Sequence, residues 1–123
     1  MDFDELSNRV IRCALEVHRT LGPGLLESAY RHCLAHELAL AAIPFEIEKA
    51  IPVKYKDVLL DCGMRLDIFV DKQLIVELKA VDKLLAVHQA QLLTYMKITN
   101  IRIGILINFN SRALRDGLRR LVL

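Results

Sequence analysis

The strongest constraint on the fold is a period of two in the apolar and polar residues of the stretch 64–79, with Phe69 and Ile75 as the apolar residues at odd positions. Leucine, isoleucine or valine stands at every even position from 66 to 78 except Lys72, and the other charged residues of the stretch all occupy odd positions. Side chains of a β-strand point alternately to its two faces, so a period of two predicts strands with one face against a core. We therefore predict two consecutive strands, Met64–Val70 and Leu74–Lys79.

The alternation also predicts how these two strands pair. With every even position facing the core, two pairs of residues lie opposite each other on that face: Leu66 with Leu78, and Ile68 with Val76. A two-residue turn at 71–72 would instead pair Asp67 with Val76 and would send Asp67 to the face opposite that of Glu77. We therefore predict a connection with an odd number of residues, such as 71–73, or a β-bulge.

The predicted register brings two acidic residues together on the other face of the hairpin. Asp67 lies opposite Glu77, with Cβ atoms roughly 4.5–5.5 Å apart, and Lys79 is two residues further along the same face. Two carboxylates at that distance repel each other unless a cation lies between them, and carboxylate oxygens suit Mg²⁺, with Mn²⁺ as an alternative. A surface cluster of ion pairs that includes Arg65 is the other interpretation that these residues leave open.

A divalent cation held by Asp67 and Glu77 indicates a particular chemistry. Such an ion polarises a phosphoryl oxygen and lowers the pKa of a bound water molecule. Lys79, beside the ion, could orient or deprotonate the attacking water, or stabilise the charge that develops on the phosphate. The pattern is therefore typical of phosphodiester hydrolysis.

Helical and extended patterns alternate along the rest of the chain. Apolar residues at helical spacing predict two helices before the hairpin, and the sequence Gly22-Pro23-Gly24 separates them. A period of two interrupted near residues 50–52 predicts a strand with a bulge, followed by a turn at Lys56-Asp57. The predicted elements outside the hairpin are helices 4–21, 25–42 and 86–98, an interrupted strand over 45–55, a buried strand over 101–109, and a short basic helix over 112–121.

The composition indicates a folded protein of one domain, residues 1–123, with an unusually apolar character. Hydrophobic residues make up 54% of the chain, and the mean hydropathy is +0.31. A buried interface between two copies would account for this surplus, so we expect a homodimer. A monomer with a strongly apolar core is the alternative.

The sequence also predicts a cytoplasmic protein that does not cross a membrane. Residues 1–5 are acidic and do not resemble a signal peptide. No apolar run reaches the roughly 18 residues of a membrane span. The cysteines Cys13, Cys33 and Cys62 are odd in number and form no CxxC pair, so they predict neither a disulfide framework nor a zinc site.

Further polar residues fall where they could support the hairpin site. Glu27 lies in the first turn of the second predicted helix, where the helix dipole stabilises a carboxylate, and this local effect is an alternative to a role in the site. Tyr30, three residues later, is expected in the core. On the third predicted helix, one stripe of polar residues could contact phosphates or face solvent: His88, Gln91 and Tyr95.

The end of the chain is basic. From Leu84 onward there are six lysine and arginine residues, against Asp116 as the one acid. A surface of this kind can attract a phosphate backbone, with Arg115 and Arg119 as candidate contacts, although a solvated helix face gives the same pattern.

Four blocks, taken together, are similar to a known family. They are Gly24-Leu25-Leu26-Glu27-Ser28-Ala29-Tyr30, Ile75-Val76-Glu77-Leu78-Lys79-Ala80, Gln91-Leu92-Leu93-Thr94-Tyr95-Met96-Lys97 and Gly104-Ile105-Leu106-Ile107-Asn108-Phe109. With Asp67, the second block resembles the D…(D/E)xK core of the PD-(D/E)XK nuclease superfamily. The first block resembles, without a mismatch, the signature of the GxxExxY family within it.

The resemblance implies a fold and a set of roles. The fold is α/β, a mixed sheet flanked by helices with the restriction-endonuclease-like core α-β-β-β-α-β, an extra N-terminal helix and a short C-terminal helix. Asp67 and Glu77 match the metal-binding acids and Lys79 the catalytic lysine, while Glu27 and Gln91 match positions that complete the site. The implied function is Mg²⁺-dependent cleavage of DNA or RNA. The alternative is a non-catalytic nucleic-acid-binding or regulatory module that retains the fold.

Overall fold

The structure is a computed structural model that describes residues 4–123. The signal-peptide prediction rested partly on residues 1–3, which lie outside the described residues. The elements in chain order are α1 (Glu5–Leu21), α2 (Glu27–Leu40), β1 (Phe45–Ala50), β2 (Val53–Tyr55), β3 (Val58–Leu60), β4 (Arg65–Val70), β5 (Leu74–Lys79), α3 (Ala86–Thr99), β6 (Ile103–Asn108), a 3₁₀ helix (Leu114–Gly117) and β7 (Leu118–Val122).

Five strands form the main sheet, in the order β1-β4-β5-β6-β7. Neighbouring strands are antiparallel except β5 and β6, which are parallel. A parallel pair needs a crossover, and α3 supplies it between these two strands. The predicted α/β fold, a mixed sheet with helices against it, is confirmed. Within residues 4–123, no helix is both long enough and apolar enough to cross a membrane.

Two apolar clusters cover the two faces of the sheet. The larger cluster joins α1 and α2 to β4, β5 and β6, and it includes Tyr30, Leu34 and Ile68. The smaller cluster joins α3 to the opposite face through Leu92 and Met96. The central strand β5 is therefore buried on both faces, as its run of five buried residues shows.

A tyrosine fixes the connection between α1 and α2. The Tyr30 hydroxyl donates to the Gly22 carbonyl at 2.6 Å and accepts from the Leu25 N–H at 3.1 Å. Its ring stacks on Phe109 with centroids 4.6 Å apart. Gly22 and Gly24 have φ of 68° and 107°, which only glycine adopts readily, so the turn brings Glu27 to the start of α2 at a defined place.

The predicted loop of the hairpin and the predicted pair of Ile68 with Val76 are confirmed, but the described backbone pairing does not extend to the predicted pairs Leu66–Leu78 and Asp67–Glu77. Ile68 pairs with Val76, and Val70 pairs with Leu74, so the connection is the three-residue loop 71–73. Leu66 differs from the prediction, because it packs with Leu92 and Met96 on the α3 face. Leu66 changes face next to Glu48 of the neighbouring strand β1. The φ of 51° at Glu48 interrupts regular strand geometry there.

Two segments differ from the predicted elements. The turn at Lys56-Asp57 is present, but it connects β2 to the additional strand β3 in a separate two-stranded sheet. The predicted basic helix 112–121 is wrong, because only the 3₁₀ turn Leu114–Gly117 is helical and β7 follows it. β7 pairs with β6 along its length. It therefore satisfies backbone N–H and C=O groups of β6 that would be unpaired if residues 112–121 formed a helix.

Gly117 permits the abrupt change from the 3₁₀ turn to the edge strand. A Cβ atom at this position would lie 2.6 Å from the Asn108 carbonyl oxygen and 2.1 Å from the Ser111 Oγ. The turn therefore packs against the end of β6 at a distance that only glycine allows.

Candidate active site

The candidate site lies where β4 and β5 separate. In the described chain, backbone pairing of these strands ends at Ile68 and Val76. Beyond that point the two acidic side chains bridge the gap: the Asp67 N–H donates to Glu77 Oε1 at 3.0 Å, and the Leu78 N–H donates to Asp67 Oδ2 at 2.8 Å. The carboxylates thus replace part of the sheet's hydrogen bonding, and this holds both of them between the strands.

Glu77 is an acid in an unfavourable environment. Its residue is only 4% exposed. Burial, followed by the charge of Asp67, raises the pKa of Glu77 to about 8, although the Asp67 N–H and Lys79 act in the other direction. At neutral pH the pair therefore retains a proton between its two carboxyl groups, and a cation could take the place of that proton.

Lys79 is held by a chain of side chains from α3. Its Nζ donates to Gln91 Oε1 at 3.3 Å, and the Gln91 amide donates to the Tyr95 hydroxyl at 3.0 Å. Burial raises the pKa of Tyr95, as do the charges of Glu77 and Asp67. The structure thus brings Gln91 and Tyr95 to the same place as the acids and the lysine.

Glu27 reaches the same charges from the other face of the sheet. Burial and then the charge of Asp67 raise the pKa of Glu27, while Lys79 and Arg31 lower it. Glu27 is in the first turn of α2, so both interpretations offered by the sequence apply to it. Helices on opposite faces of the sheet therefore contribute to one charged cluster.

Arg31 and Glu48 also belong to this cluster, although the sequence did not predict them. Arg31 lies one turn after Glu27 on α2, with a guanidinium nitrogen 3.7 Å from Asp67 Oδ1 and another 3.6 Å from Glu48 Oε1. The spacing of four residues from Glu27 placed Arg31 on the correct helix face and was the available signal. Glu48 gave no such signal, because its position depends on the pairing of β1 with β4.

Within residues 4–123, no hydrogen bond or ion pair joins the other predicted contacts to Asp67 or Glu77. His88 Nδ1 accepts the Leu85 N–H at 2.9 Å and so caps the start of α3. Arg115 is exposed on the 3₁₀ turn. Arg119 donates to its neighbouring carbonyls, and its partner Leu106 on β6 pairs in turn with Glu77. Arg119 and Glu77 therefore share a sheet face, two strands or roughly 10 Å apart.

The donor set fits a hard divalent cation with few protein ligands. In the part of the chain that is described, no three His, Cys, Asp or Glu residues are grouped as a metal site. Mg²⁺ commonly takes one or two protein carboxylates and keeps several water molecules. Two carboxylates that share one small space, with a raised pKa at Glu77, are suited to that mode of binding.

The comparisons with known proteins agree with this geometry. No match was found among the curated proteins or among the solved structures. The model of the PD-(D/E)XK nuclease superfamily matches residues 4–121. Membership of the GxxExxY family stays a prediction from the motif at 24–30. Since the match spans almost the whole chain and contains the Asp67, Glu77 and Lys79 site, the chain belongs to the PD-(D/E)XK nuclease superfamily.

Proposed function

We propose that this protein is a Mg²⁺-dependent nuclease that hydrolyses phosphodiester bonds of a nucleic acid. The observation that carries the proposal is the pair of Asp67 and the buried Glu77 between the separating strands, with Lys79 beside it. Burial of Glu77 beside the charge of Asp67 is costly, so this arrangement is more readily explained by a cation site than by stability.

Asp67 and Glu77 would hold the ion, together with the main-chain carbonyl of Leu78. Mn²⁺ could substitute, since it accepts the same oxygen ligands. When bound, the ion would neutralise charge on the scissile phosphate and acidify a water molecule. Glu27 adds negative charge close to Asp67, and this favours a divalent over a monovalent cation.

Lys79 would orient the attacking water or stabilise negative charge on the phosphate. Its contact with Gln91 holds the amine on the face that carries Glu77, and Tyr95 in turn holds the Gln91 amide. Gln91 thus limits the freedom of a long flexible side chain, and the cost of ordering Lys79 in the transition state falls accordingly.

We propose that the nucleic-acid backbone approaches the end of the sheet at which Lys79 lies, where α3 leaves the residues beside Glu77 accessible to a phosphate. Arg115 and Arg119 would attract phosphates, and Tyr95 would contact the substrate near the acids. His88 would contribute through Nε2, because Nδ1 caps α3. The homodimer, the single domain and the cytoplasmic location stay predictions from composition, and light scattering tests the first of them.

A cleavage assay tests the proposed function. Purified protein is incubated with single- and double-stranded DNA and RNA in Mg²⁺, in Mn²⁺ and in excess chelator. We expect metal-dependent cleavage that falls by roughly a thousandfold or more in Asp67→Ala and in Lys79→Ala. Asp57→Asn and Lys97→Ala, which change exposed residues of the same charge, serve as matched controls and should leave cleavage unchanged.

Two outcomes would contradict the proposal. Cleavage that survives both Asp67→Ala and Lys79→Ala would come from a contaminating enzyme. Binding of nucleic acid without cleavage in either metal would instead support the non-catalytic binding or regulatory module that the sequence left open.

A further inference from the structure

Arg31 is a largely buried cation to which the proposed hydrolysis assigns no role. Its side chain is 13% exposed, although arginine is almost always on the surface unless paired. Its two ion pairs, with Asp67 and Glu48, are 3.7 and 3.6 Å long, so they act through charge rather than through close hydrogen bonds. Within residues 4–123, its buried Nε has no hydrogen-bond partner.

The surroundings of Arg31 explain why it stays in this position. Glu27 is one turn earlier on α2, Glu48 is in β1 and Asp67 is in β4, so carboxylates from three elements lie around one guanidinium. Asp67 belongs at the same time to the proposed cation site with Glu77. Arg31 is therefore the positive charge that opposes the repulsion within this acid cluster on the α2 side of the sheet.

We propose that Arg31 is a positioning residue that holds the acid cluster together in the metal-free protein and competes with the divalent cation for Asp67. The proposal rests on the proposed function, because it assumes that Asp67 and Glu77 bind the ion. A divalent cation on Asp67 would lie within a few ångströms of a guanidinium, and the two positive charges repel each other. Arg31 thereby sets the metal concentration at which the site fills.

Direct metal binding tests this proposal without relying on catalysis. Binding of Mn²⁺ to the full-length protein is measured by calorimetry or by electron paramagnetic resonance, and thermal unfolding is followed with and without metal. We expect Arg31→Met to bind Mn²⁺ roughly tenfold more tightly and to unfold at a lower temperature than the wild type when metal is absent. Arg31→Lys keeps the charge and should bind Mn²⁺ within about twofold of the wild type.

A second variant tests the same balance of charges from the opposite side. Glu48→Gln removes the other carboxylate that engages Arg31, at a side chain that is 55% exposed and tolerant of change. Asp67 is then the remaining ion-pair partner of Arg31, so Mn²⁺ binding should weaken by about twofold, and less so at high salt. Arg9→Met is the control, because Arg9 is a partly buried arginine on α1 that donates to the Ala41 carbonyl.

The test is decisive because Arg31→Met is expected to raise the Mn²⁺ affinity while it lowers the unfolding temperature of the metal-free protein. A merely structural Arg31 would lower both the unfolding temperature and the metal affinity when replaced, and that result would overturn the proposal. Unchanged affinity in Arg31→Met would overturn it as well. If the wild type itself bound no Mn²⁺, the proposed metal site would fail together with this inference, whereas wild-type binding with the wrong variant response would refute the inference alone.

Discussion

Two acidic clusters of this molecule have opposite electrostatic character. At the start of α1, burial of Asp4 is outweighed by hydrogen bonds from the Ser7 N–H and from Arg120, so the pKa of Asp4 falls to about 2. Between β4 and β5, burial and the charge of Asp67 raise the pKa of Glu77 to about 8. One carboxylate is satisfied by its neighbours, and the other is opposed by them.

The difference between the two clusters indicates a structural role for the charge of Asp4 and a role in the proposed site for Asp67 and Glu77. The Asp4 side chain caps α1 and pairs with Arg120 of β7 at 2.7 Å, which ties the first helix to the last strand. Burial and the charge of Asp67 instead make Glu77 retain a proton at neutral pH. Groups held in this way cluster at functional sites, where a ligand provides the missing opposite charge.

Among variants that test the contrast between the two acidic clusters, Glu77→Gln is expected to have the largest effect. The amide keeps the shape and can accept the Asp67 N–H, but it removes a proposed metal ligand and the cost of protonating Glu77 when the chain folds. We expect nucleic-acid cleavage to fall by roughly a thousandfold, while the free energy of unfolding of the metal-free protein rises by about 1 kcal/mol. Activity assays and urea denaturation measure the two effects.

The matched control for this variant is Glu46→Gln, which changes an exposed acid on the edge strand β1. It should leave both cleavage and stability close to those of the wild type. If Glu77→Gln lost stability as well as activity, the acid pair would be a structural pair like that of Asp4.

The pH dependence of stability is the next effect in size. Because the pKa of Glu77 is raised from 4.5 to about 8 in the folded state, the folded protein retains a proton that the unfolded chain has already released. Unfolding therefore becomes easier as the pH rises from about 4.5 to about 8, and this contribution is fully present only below 4.5. Denaturation at a series of pH values in chelator should show that slope in the wild type.

The same series in Glu77→Gln separates this acid from all others. The part of the slope between about 4.5 and about 8 that Glu77 causes should disappear in the variant. A slope that is unchanged by the substitution would mean that Glu77 does not titrate in this range.

The smallest effect is expected at the structural pair. Asp4→Ala removes the cap of α1 and a partner of Arg120, so the free energy of unfolding should fall by about 1 kcal/mol, with metal affinity unchanged. The pKa of Asp4 is lowered from 3.8 to about 2, so the stability it contributes is present above about 4 and is lost as the pH falls towards 2. Acid denaturation of wild type and variant should converge in that range.

Asp4→Asn is the control for the cap, since asparagine caps a helix but carries no charge. It should lose only the pH-dependent part of the effect. A change in Mn²⁺ affinity in either Asp4 variant would contradict the separation of the two clusters.

Much of the fold could be predicted because its signals are local. The period of two in 64–79 specified both strands of the hairpin and the odd length of its loop, and the structure confirms the loop at 71–73. The apolar run 101–109 indicated a strand buried on both faces, and β6 occupies its centre. The Gly22-Pro23-Gly24 turn predicted a helix from residue 25, and α2 begins two residues later, at Glu27.

The incorrect helix at 112–121 shows the limit of local signals. Apolar residues there occur at a spacing that a helix could use, but the bare edge of β6 requires a pairing strand. Tertiary hydrogen bonding overrode the local preference, and it turned Arg119 and Arg120 to opposite faces of the sheet. No pattern within the ten residues 112–121 specifies that this segment pairs with β6.

The sequence by itself determined that Asp67, Glu77 and Lys79 share one strand pair, because side-chain direction in a strand follows from the order of residues alone. Only the tertiary structure decided that the strands separate beside these acids, that Gln91 and Tyr95 approach from one face of the sheet, and that Glu27 and Arg31 approach from the other. Those contacts join residues far apart in the chain, so they depend on how the whole molecule packs.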